Sequence, residues 1–348
     1  MTWRIEPVEP EAARDQELRA LYDLDIEIHD ELWSEDPRKP FELWLKELRD
    51  APSWNKQLRW AVWTEDRRRA AGSAVLTMGF TESNRHLAEW DISVRAPARR
   101  RGLGLRLLEP VLEAAEAEGR TLLDAGAPTG TAGTAFLESL GADRKIVERK
   151  SRMVVAEVDR AMLQAWVERA ADRAGGYSLL AWDGPVPDGY LARFVDLTMV
   201  MNTAPRDGLE MDDWVHTPER HRETEEREAR MGYGWWTLVA RHDATDRLVG
   251  YTEFVFPPHH EDLAWQEATV VDPIHRNKGI GRWLKAVNCL RLLDERPQLR
   301  YVDTWNAFSN AAMLGINEAM GFEVVKSFSE YQIPTDRLAS ALKERRGG

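Results

Sequence analysis

The feature that most constrains this chain is an internal repeat that uses all of its 348 residues. A glycine-containing loop at Gly102 recurs at Gly279, and the pair of predicted strands that precedes it recurs at nearly the same offset. Because the offset is close to half the chain length, the sequence indicates two copies of one unit. We therefore expect two tandem domains, formed by residues 1–174 and 175–348.

Within each copy the hydrophobic pattern predicts a mixed α/β fold with an α+β-like order of elements. Consecutive strands precede the glycine loop, which favours an antiparallel meander. A strand, the loop, a helix and a further strand then favour one parallel crossover. A doubly wound dinucleotide-binding fold would need repeated β-α-β units and a Gly-x-Gly-x-x-Gly loop, and the sequence has neither.

The repeated loop is the first candidate for binding a ligand. In each copy it follows an apolar strand and opens a predicted helix, so its glycines would leave backbone N–H groups free at a helix N-terminus. Such a terminus suits a diphosphate, although a glycine cap that serves only packing would have the same sequence. The candidate binding residues are Val94, Arg99, Arg100, Arg101, Gly102, Leu103 and Gly104 in the first copy, and Val270, Val271, Arg276, Asn277, Lys278, Gly279, Ile280, Gly281 and Arg282 in the second.

These residues resemble the GCN5-related N-acetyltransferase (GNAT) superfamily, in the tandem two-domain form found among actinobacterial proteins and similar in layout to the mycothiol synthases. The resemblance covers nearly the whole chain and includes a second motif, Thr304–Phe322. It implies two GNAT-type domains, in which two strands diverge and acetyl-CoA or another acyl-CoA lies in the gap. Val270 and Val271 would then pair with the pantetheine amides, which Asn306 and Asn310 would also contact unless they serve only as turn and helix caps.

Transfer of an acyl group to an amine needs a group that removes a proton from the amine and a group that protonates the leaving thiolate. Glu267, on the strand before the loop, is the preferred base, and Glu253 on the neighbouring strand is the second candidate. Either could instead be an exposed or salt-bridged glutamate. The resemblance implies a tyrosine as the acid, but Asn317 stands in its place, so solvent, Tyr331 or Tyr251 would have to serve.

The first copy departs further from the family pattern. Leu137 stands at the tyrosine position, and Gly126 and Gly130 align with the two asparagines. Glu89, the aligned counterpart of the base, is one residue out of phase, which a β-bulge could restore. We therefore expect the C-terminal domain to be catalytic and the N-terminal domain to be a degenerate copy that retains the cofactor or serves only the structure.

The amino-acid composition disfavours several classes of binding partner. Forty-seven Lys and Arg residues against 59 Asp and Glu residues give a net charge of -12 at pH 7, which disfavours nucleic acid and anionic membranes. No apolar run or leader pattern predicts membrane insertion or export. The single Cys289 and the absence of metal-ligand spacing predict no metal and a reducing, cytoplasmic setting.

The expected activity is direct transfer of an acyl group, acetyl first, from an acyl-CoA to the amine of a small molecule. One alternative is the same chemistry on a protein, peptide or carrier-bound amine. The other is a catalytically silent acyl-CoA-binding module, which the missing tyrosines favour. The chain is expected to act as a monomer or homodimer.

Overall fold

A computed structural model describes residues 3–347, and in this range the chain forms twelve strands and ten α-helices. The strands are β1 (Arg4–Pro7), β2 (Asn55–Trp63), β3 (Ala70–Gly79), β4 (Leu87–Val94), β5 (Leu122–Pro128), β6 (Asp143–Val154), β7 (Tyr177–Asp183), β8 (Gly234–His242), β9 (Arg247–Phe256), β10 (Leu263–Val271), β11 (Tyr301–Ala307) and β12 (Phe322–Pro334). The helices are α1 (Asp15–Leu32), α2 (Phe41–Arg49), α3 (Leu103–Ala117), α4 (Ala132–Ser139), α5 (Arg160–Arg173), α6 (Asp188–Thr198), α7 (Pro218–Met231), α8 (Ile280–Glu295), α9 (Ala311–Ala319) and α10 (Thr335–Gly347).

The chain separates into two compact units. Unit 1 consists of Met1–Val147, Gly208–Asp213 and Phe328–Gly348. Its strands are ordered β1-β2-β3-β4-β5-β12, with β4 and β5 parallel and the other neighbours antiparallel. Helix α3 packs against β2, β3 and β4 and against α10. Its apolar face, which includes Leu107 and Val111, forms the centre of the unit 1 core.

Unit 2 consists of Glu148–Asp207 and Trp214–Ser327. Its strands are ordered β6-β11-β10-β9-β8-β7, with β10 and β11 parallel and the other neighbours antiparallel. Helix α8 packs against β8, β9 and β10 and against α5, while α6 packs against β9 and α7. Cys289 of α8 is fully buried in this core and belongs to no disulfide.

These pairings confirm the predicted fold class. In both units an antiparallel meander leads into a strand, the glycine loop, a helix and a parallel strand, as the order of the sequence signals predicted. The crossover places the glycine loop next to the line where the sheet changes from antiparallel to parallel pairing. This position is typical of ligand sites in α/β sheets.

The sheet of each unit is completed by a strand from the other half of the sequence. Strand β12 pairs with β5 and buries Tyr331 and Ile333 in the core of unit 1. Strand β6 pairs with β11 and buries Met153 in the core of unit 2. The predicted boundary at residue 174 therefore divides the sequence repeat but not the compact units, because α5 before it and β7 after it both belong to unit 2.

Candidate functional site

The parallel strands of unit 2 diverge part of the way along their length. Strands β10 and β11 pair only from Leu263 to Trp265, after which β11 continues beside β6 and β10 beside β9. The hydroxyl of Thr304 donates to the Gln266 carbonyl at 2.9 Å and closes the paired segment. Beyond this point no strand of residues 3–347 pairs with the inner edge of β10, which leaves that edge open to another extended chain, as the resemblance implied for pantetheine.

A β-bulge marks the same place on β10. Gln266 pairs with Phe254 and Thr269 pairs with Thr252, so Glu267 and Ala268 share one position opposite Glu253 of β9. A bulge re-aims side chains next to functional sites, and here the bulged residue is the predicted base. In unit 1 the corresponding pairing of β3 with β4 is regular.

The glycine loop of unit 2 ends in an uncapped helix N-terminus. Asn277 and Gly279 adopt left-handed backbone conformations, with φ of 64° and 83°. The first backbone hydrogen bond of α8 runs from Trp283 N–H to the Gly279 carbonyl at 3.0 Å, and no side chain in the described range caps this end. The preceding N–H groups, of residues 280–282, are therefore available to an anion.

The basic side chains of this loop bind other parts of unit 2. Arg276 donates to the Val271 carbonyl at 2.9 Å and to the Thr203 hydroxyl at 2.6 Å. Lys278 donates to the Tyr177 hydroxyl at 2.7 Å. The Arg282 guanidinium lies 5.4 Å from the centre of the Trp166 ring. These three residues therefore fix the loop and contribute positive charge to it, and the free donors at its centre belong to the backbone.

The first copy of the loop has the same backbone form and a different charge distribution. Arg100 and Gly102 are left-handed, with φ of 61° and 75°, and Arg99 donates to the Val94 carbonyl at 2.8 Å. Arg99 also forms a bidentate ion pair with Glu31 at 2.6 and 2.5 Å. Arg100 and Arg101 are exposed, and neither has a partner within residues 3–347. The repeat thus preserves the arginine-to-carbonyl bond that holds the loop against its strand.

The two predicted asparagines of unit 2 make internal hydrogen bonds. Asn310 caps α9 by accepting from Met313 N–H at 3.3 Å, as the alternative interpretation of this residue had it. Asn306 accepts at 2.6 Å from the side chain of Asn317, the residue that stands at the tyrosine position. Contact of Asn306 with the pantetheine arm stays a prediction.

Strand pairing corrects the alignment of these residues with the first copy. Leu122 begins the parallel segment of β5 and Tyr301 begins that of β11, so Asn306 corresponds to Ala127 and not to Gly126. Packing requires a glycine at position 126, because a Cβ there would lie 2.2 Å from the Phe328 ring. By the same count Asn310 corresponds to Thr131, since each residue precedes its helix, and not to Gly130.

Carboxyl groups with perturbed proton affinity surround the gap in unit 2. Burial raises the pKa of Glu253 to about 8, and the negative charges of Glu267 and Glu228 add to this effect. The surrounding protein also raises the pKa of Glu267, although its side chain remains exposed to solvent. Exposure combined with a raised pKa is typical of a carboxyl group in a cleft.

Tyr251 lies with these carboxyl groups, and Tyr331 does not. Burial first, and then the charges of Glu253 and Glu267, raise the pKa of Tyr251 well above its ordinary value. Tyr331, one of the predicted acids, packs in the core of unit 1 and donates from its hydroxyl to Glu138 at 2.9 Å. The prediction that Tyr331 serves the site of Glu267 is therefore wrong, because β12 completes the other unit.

Unit 1 contains carboxyl groups at its own strand divergence that sequence analysis missed. Pairing across β3 and β4 makes Asp91 the counterpart of the bulged Glu267, and burial raises the pKa of Asp91. Burial and the charge of Glu89 raise the pKa of Asp124 to about 7 at the point where β4 and β5 diverge. A comparison of the two copies by strand pairing, counted back from Val94 on β4, identifies Asp91. A fixed sequence offset does not.

The sequence matches the profile of the Acetyltransferase (GNAT) family twice, over residues 18–142 and 200–322. The chain belongs to this family and is a tandem member of it. No curated protein sequence matches the chain significantly. In the described range no helix is long and apolar enough to cross a membrane, and no three His, Cys, Asp or Glu side chains are grouped to hold a metal ion.

Solved structures show the same fold. A tandem GNAT protein from the clavulanic acid biosynthesis pathway is 24% identical with a TM-score of 0.76, covering 96% of this chain and 99% of that one. A GCN5-related N-acetyltransferase from Sphaerobacter thermophilus is 14% identical with a TM-score of 0.63, covering 96% of each chain. The N-myristoyltransferase of Saccharomyces cerevisiae, solved with bound myristoyl-CoA, is 9% identical with a TM-score of 0.56, covering 95% of this chain and 80% of that one.

Proposed function

We propose that this protein transfers the acyl group of an acyl-CoA, with acetyl-CoA as the first candidate, to the amine of a small molecule. We assign the reaction to unit 2. The observation that carries the proposal is that one strand, β10, leads from a bulged Glu267 at the strand divergence to the uncapped N-terminus of α8.

The residues of unit 2 fit a CoA diphosphate. The left-handed Gly279 turns the chain so that the first N–H groups of α8 point outward from the loop. A Cβ on Gly281 would make ordinary contacts with Val271 at 3.7 Å and Ile316 at 3.9 Å, whereas a Cβ on Gly279 would meet nothing within 4 Å, so the loop has open space at Gly279. Acetyl-CoA would supply the thioester whose acyl carbon the amine attacks.

Glu267 is the better base of the two predicted glutamates. Glu253, with a pKa of about 8, holds its proton at neutral pH, whereas Glu267 is exposed in the cleft and accessible to an amine or a water molecule. Glu267 takes a proton from the amine as the new C–N bond forms and the C–S bond breaks. The thiolate leaves with a proton from solvent, because Tyr251 is buried and its raised pKa makes it a poor acid. The acidic cleft favours a cationic amine.

The test is a calorimetric titration of acetyl-CoA into the wild type, Gly281→Glu and Gly281→Ala. Alanine fits at this position without overlap, so Gly281→Ala should keep binding. Glutamate brings a negative charge to the helix N-terminus and should abolish one site. If the wild type binds no acetyl-CoA, the proposal is refuted.

The number of sites tests the assignment to unit 2. Arg101→Glu changes the exposed loop of unit 1 and should leave the site in unit 2 intact. A single site that survives Gly281→Glu and is lost in Arg101→Glu would move the reaction to unit 1.

Turnover distinguishes an enzyme from a silent acyl-CoA-binding module. Free thiol would be measured with acetyl-CoA and a panel of primary amines, for the wild type and for Glu267→Gln. We expect Glu267→Gln to bind acetyl-CoA normally and to lose about 10²- to 10⁴-fold in kcat, the usual contribution of a general base. Binding without amine-dependent thiol release from the wild type would favour the silent module.

A further inference from the structure

Three carboxyl groups converge at the strand gap of unit 2 without an ion-pair partner. Glu253 of β9 lies opposite the bulged Glu267 of β10 in the strand register. The charge of Glu228, on α7, acts on Glu253, and that of Glu267 acts on Glu228. Among residues 3–347 no lysine, arginine or histidine forms an ion pair with any of the three. The cleft therefore carries excess negative charge where the amine has to bind.

Each of these carboxyl groups has a raised affinity for its proton. Burial raises the pKa of Glu253 to about 8 and also raises the pKa values of Glu228 and Glu267. Arg227 and His221 lower the pKa of Glu228, but burial and the charge of Glu267 outweigh them. Carboxyl groups in such surroundings keep protons that a bound cation displaces. The cleft is thus prepared for positive charge from a ligand.

Aromatic side chains border the carboxyl groups. Trp265 of β10 pairs with Val255, which lies two residues from Glu253 and therefore on the same face of the sheet. The ring of Tyr233, which follows α7, lies 5.9 Å from the Trp265 ring. Both rings are partly exposed. Methylene groups can pack against these rings, and an ammonium group can bind over their faces.

The carboxyl groups are spread along the cleft instead of surrounding one point, because they lie on two neighbouring strands and on α7. Neighbouring strands lie about 5 Å apart. One ammonium group at Glu267 and a second between Glu253 and Glu228 are therefore separated by a short chain of methylene groups. A ligand with a single positive charge leaves part of the negative charge unbalanced.

We propose that the acceptor is an amine with a second positive charge, a diamine or polyamine, whose distant ammonium group binds Glu228 and Glu253. This inference rests on the proposed function, because it names the substrate class of the same site. Glu267 takes the proton from the reacting amine as its nitrogen bonds the acyl carbon and the C–S bond breaks, while the distant ammonium group keeps its proton. The product therefore carries one positive charge, and Trp265 packs against the spacer.

The test compares linear diamines of two to eight carbons with n-alkylamines of the same lengths, each used with acetyl-CoA while free thiol is measured. For at least one length, kcat/KM of the diamine should exceed that of the alkylamine by roughly 10- to 100-fold, the range expected for a hydrogen bond to a charged group. The diamine value is first divided by two for its two equivalent amines. The best spacer should have roughly three to five carbons. Equal values at every length would refute the inference.

Two glutamate substitutions on α7 separate the proposed site from the net charge. Glu228→Gln keeps the shape of the side chain and should lower the diamine preference about 10-fold, while kcat/KM of the alkylamines changes less than about 2-fold. Glu226→Gln removes the same charge from an exposed position of the same helix and should keep the preference. An equal loss of preference in both variants would show that net charge is responsible and would refute the inference.

The products give a second readout. After one transfer the diamine carries a neutral acetamide, which cannot replace the distant ammonium group at Glu228 and Glu253. The favoured diamine should therefore accumulate as the monoacetyl product, with a second transfer slower by roughly the same 10- to 100-fold. A second transfer as fast as the first would contradict the inference.

Calorimetry gives a readout that needs no turnover. The favoured diamine is titrated at pH 7, in buffers of different ionisation enthalpy, into the protein saturated with CoA. Glu253 interacts with the Thr237 hydroxyl, with Tyr251 and with the carboxyl groups of Glu225, Glu228 and Glu267. It should release its proton when an ammonium group binds, and the release should fall in Glu253→Gln. Diamine binding without proton release would refute the inference.

The inference and the proposed function fail in different ways. Acetylation of alkylamines and diamines at equal rates would refute the inference and leave the proposed function intact. Absence of acetyl-CoA binding would refute the proposed function.

Discussion

Replacing Glu253 with glutamine should stabilise the fold, and the gain should grow with pH. The pKa of Glu253 rises from an ordinary 4.5 to about 8 because burial penalises the charged carboxylate, while the hydrogen bond from Thr237 at 3.1 Å opposes the rise. The folded protein therefore holds a proton that the unfolded chain releases above about pH 4.5. The free energy of unfolding consequently falls as pH rises from about 4.5 to about 8, and then levels.

The size of the effect follows from the shift. One pKa unit corresponds to about 1.4 kcal/mol, which gives a ceiling of about 5 kcal/mol for this group. Glu253 is only partly buried, and water that reaches its side chain lowers the cost of the charge, so we expect about 1–3 kcal/mol. Glutamine has nearly the same shape, stays neutral, and can still accept from Thr237. Its advantage should be smallest at pH 5, just above the ordinary pKa of 4.5, and complete at pH 9.

The measurement is urea unfolding followed by circular dichroism at pH 5, 7 and 9, comparing Glu253→Gln with the wild type at each pH. Glu261→Gln, at an exposed position, controls for the general effect of removing one negative charge. A gain of equal size at all three pH values, or a loss of stability at pH 9, would show that burial of the Glu253 charge does not determine the stability difference.

Two further substitutions test the strand exchange and the buried ion pair. Tyr331→Phe should lower the free energy of unfolding by about 1 kcal/mol, because it removes the hydrogen bond to Glu138. Acetyl transfer by unit 2 should be unchanged. A large loss of kcat with intact stability would contradict the placement of Tyr331 in unit 1. Asp303→Asn should cost about 3–5 kcal/mol in urea unfolding, since it removes the buried carboxylate that Arg152 and Lys150 share. A cost below about 1 kcal/mol would count against the ion pair.

Sequence analysis could predict the elements whose signals are local. The glycine loops and the helix that each opens depend on a few adjacent residues, and both copies have them where expected. The strand divergence was predicted from the family resemblance alone. The repeat strengthened these predictions, because the same signals occur twice in the same order.

The predictions that depended on long-range pairing fared less well. The ungapped comparison left Glu89 one residue out of phase with the base. Because the bulge at Glu267 inserts one residue into β10, strand pairing makes Asp91 the counterpart instead. The exchange of β6 and β12 moved Tyr331 to unit 1. Neither feature has a local signal, since a strand with one buried face fits either sheet until its partners are known.

Asp124 and Asp303 show how far chemistry can differ at equivalent positions of a repeat. Both lie on the third residue of the strand that follows the crossover helix, at the point where the parallel pairing ends. Strand β6 places Arg152 opposite Asp303, with bonds of 2.6 and 2.7 Å, so that carboxylate is buried as an ion pair. Strand β12 places Gln332 opposite Asp124, and the pKa of Asp124 rises to about 7. The strand that completes each sheet, which comes from the other half of the sequence, thus determines whether a cation or a neutral amide faces the carboxyl group at this position.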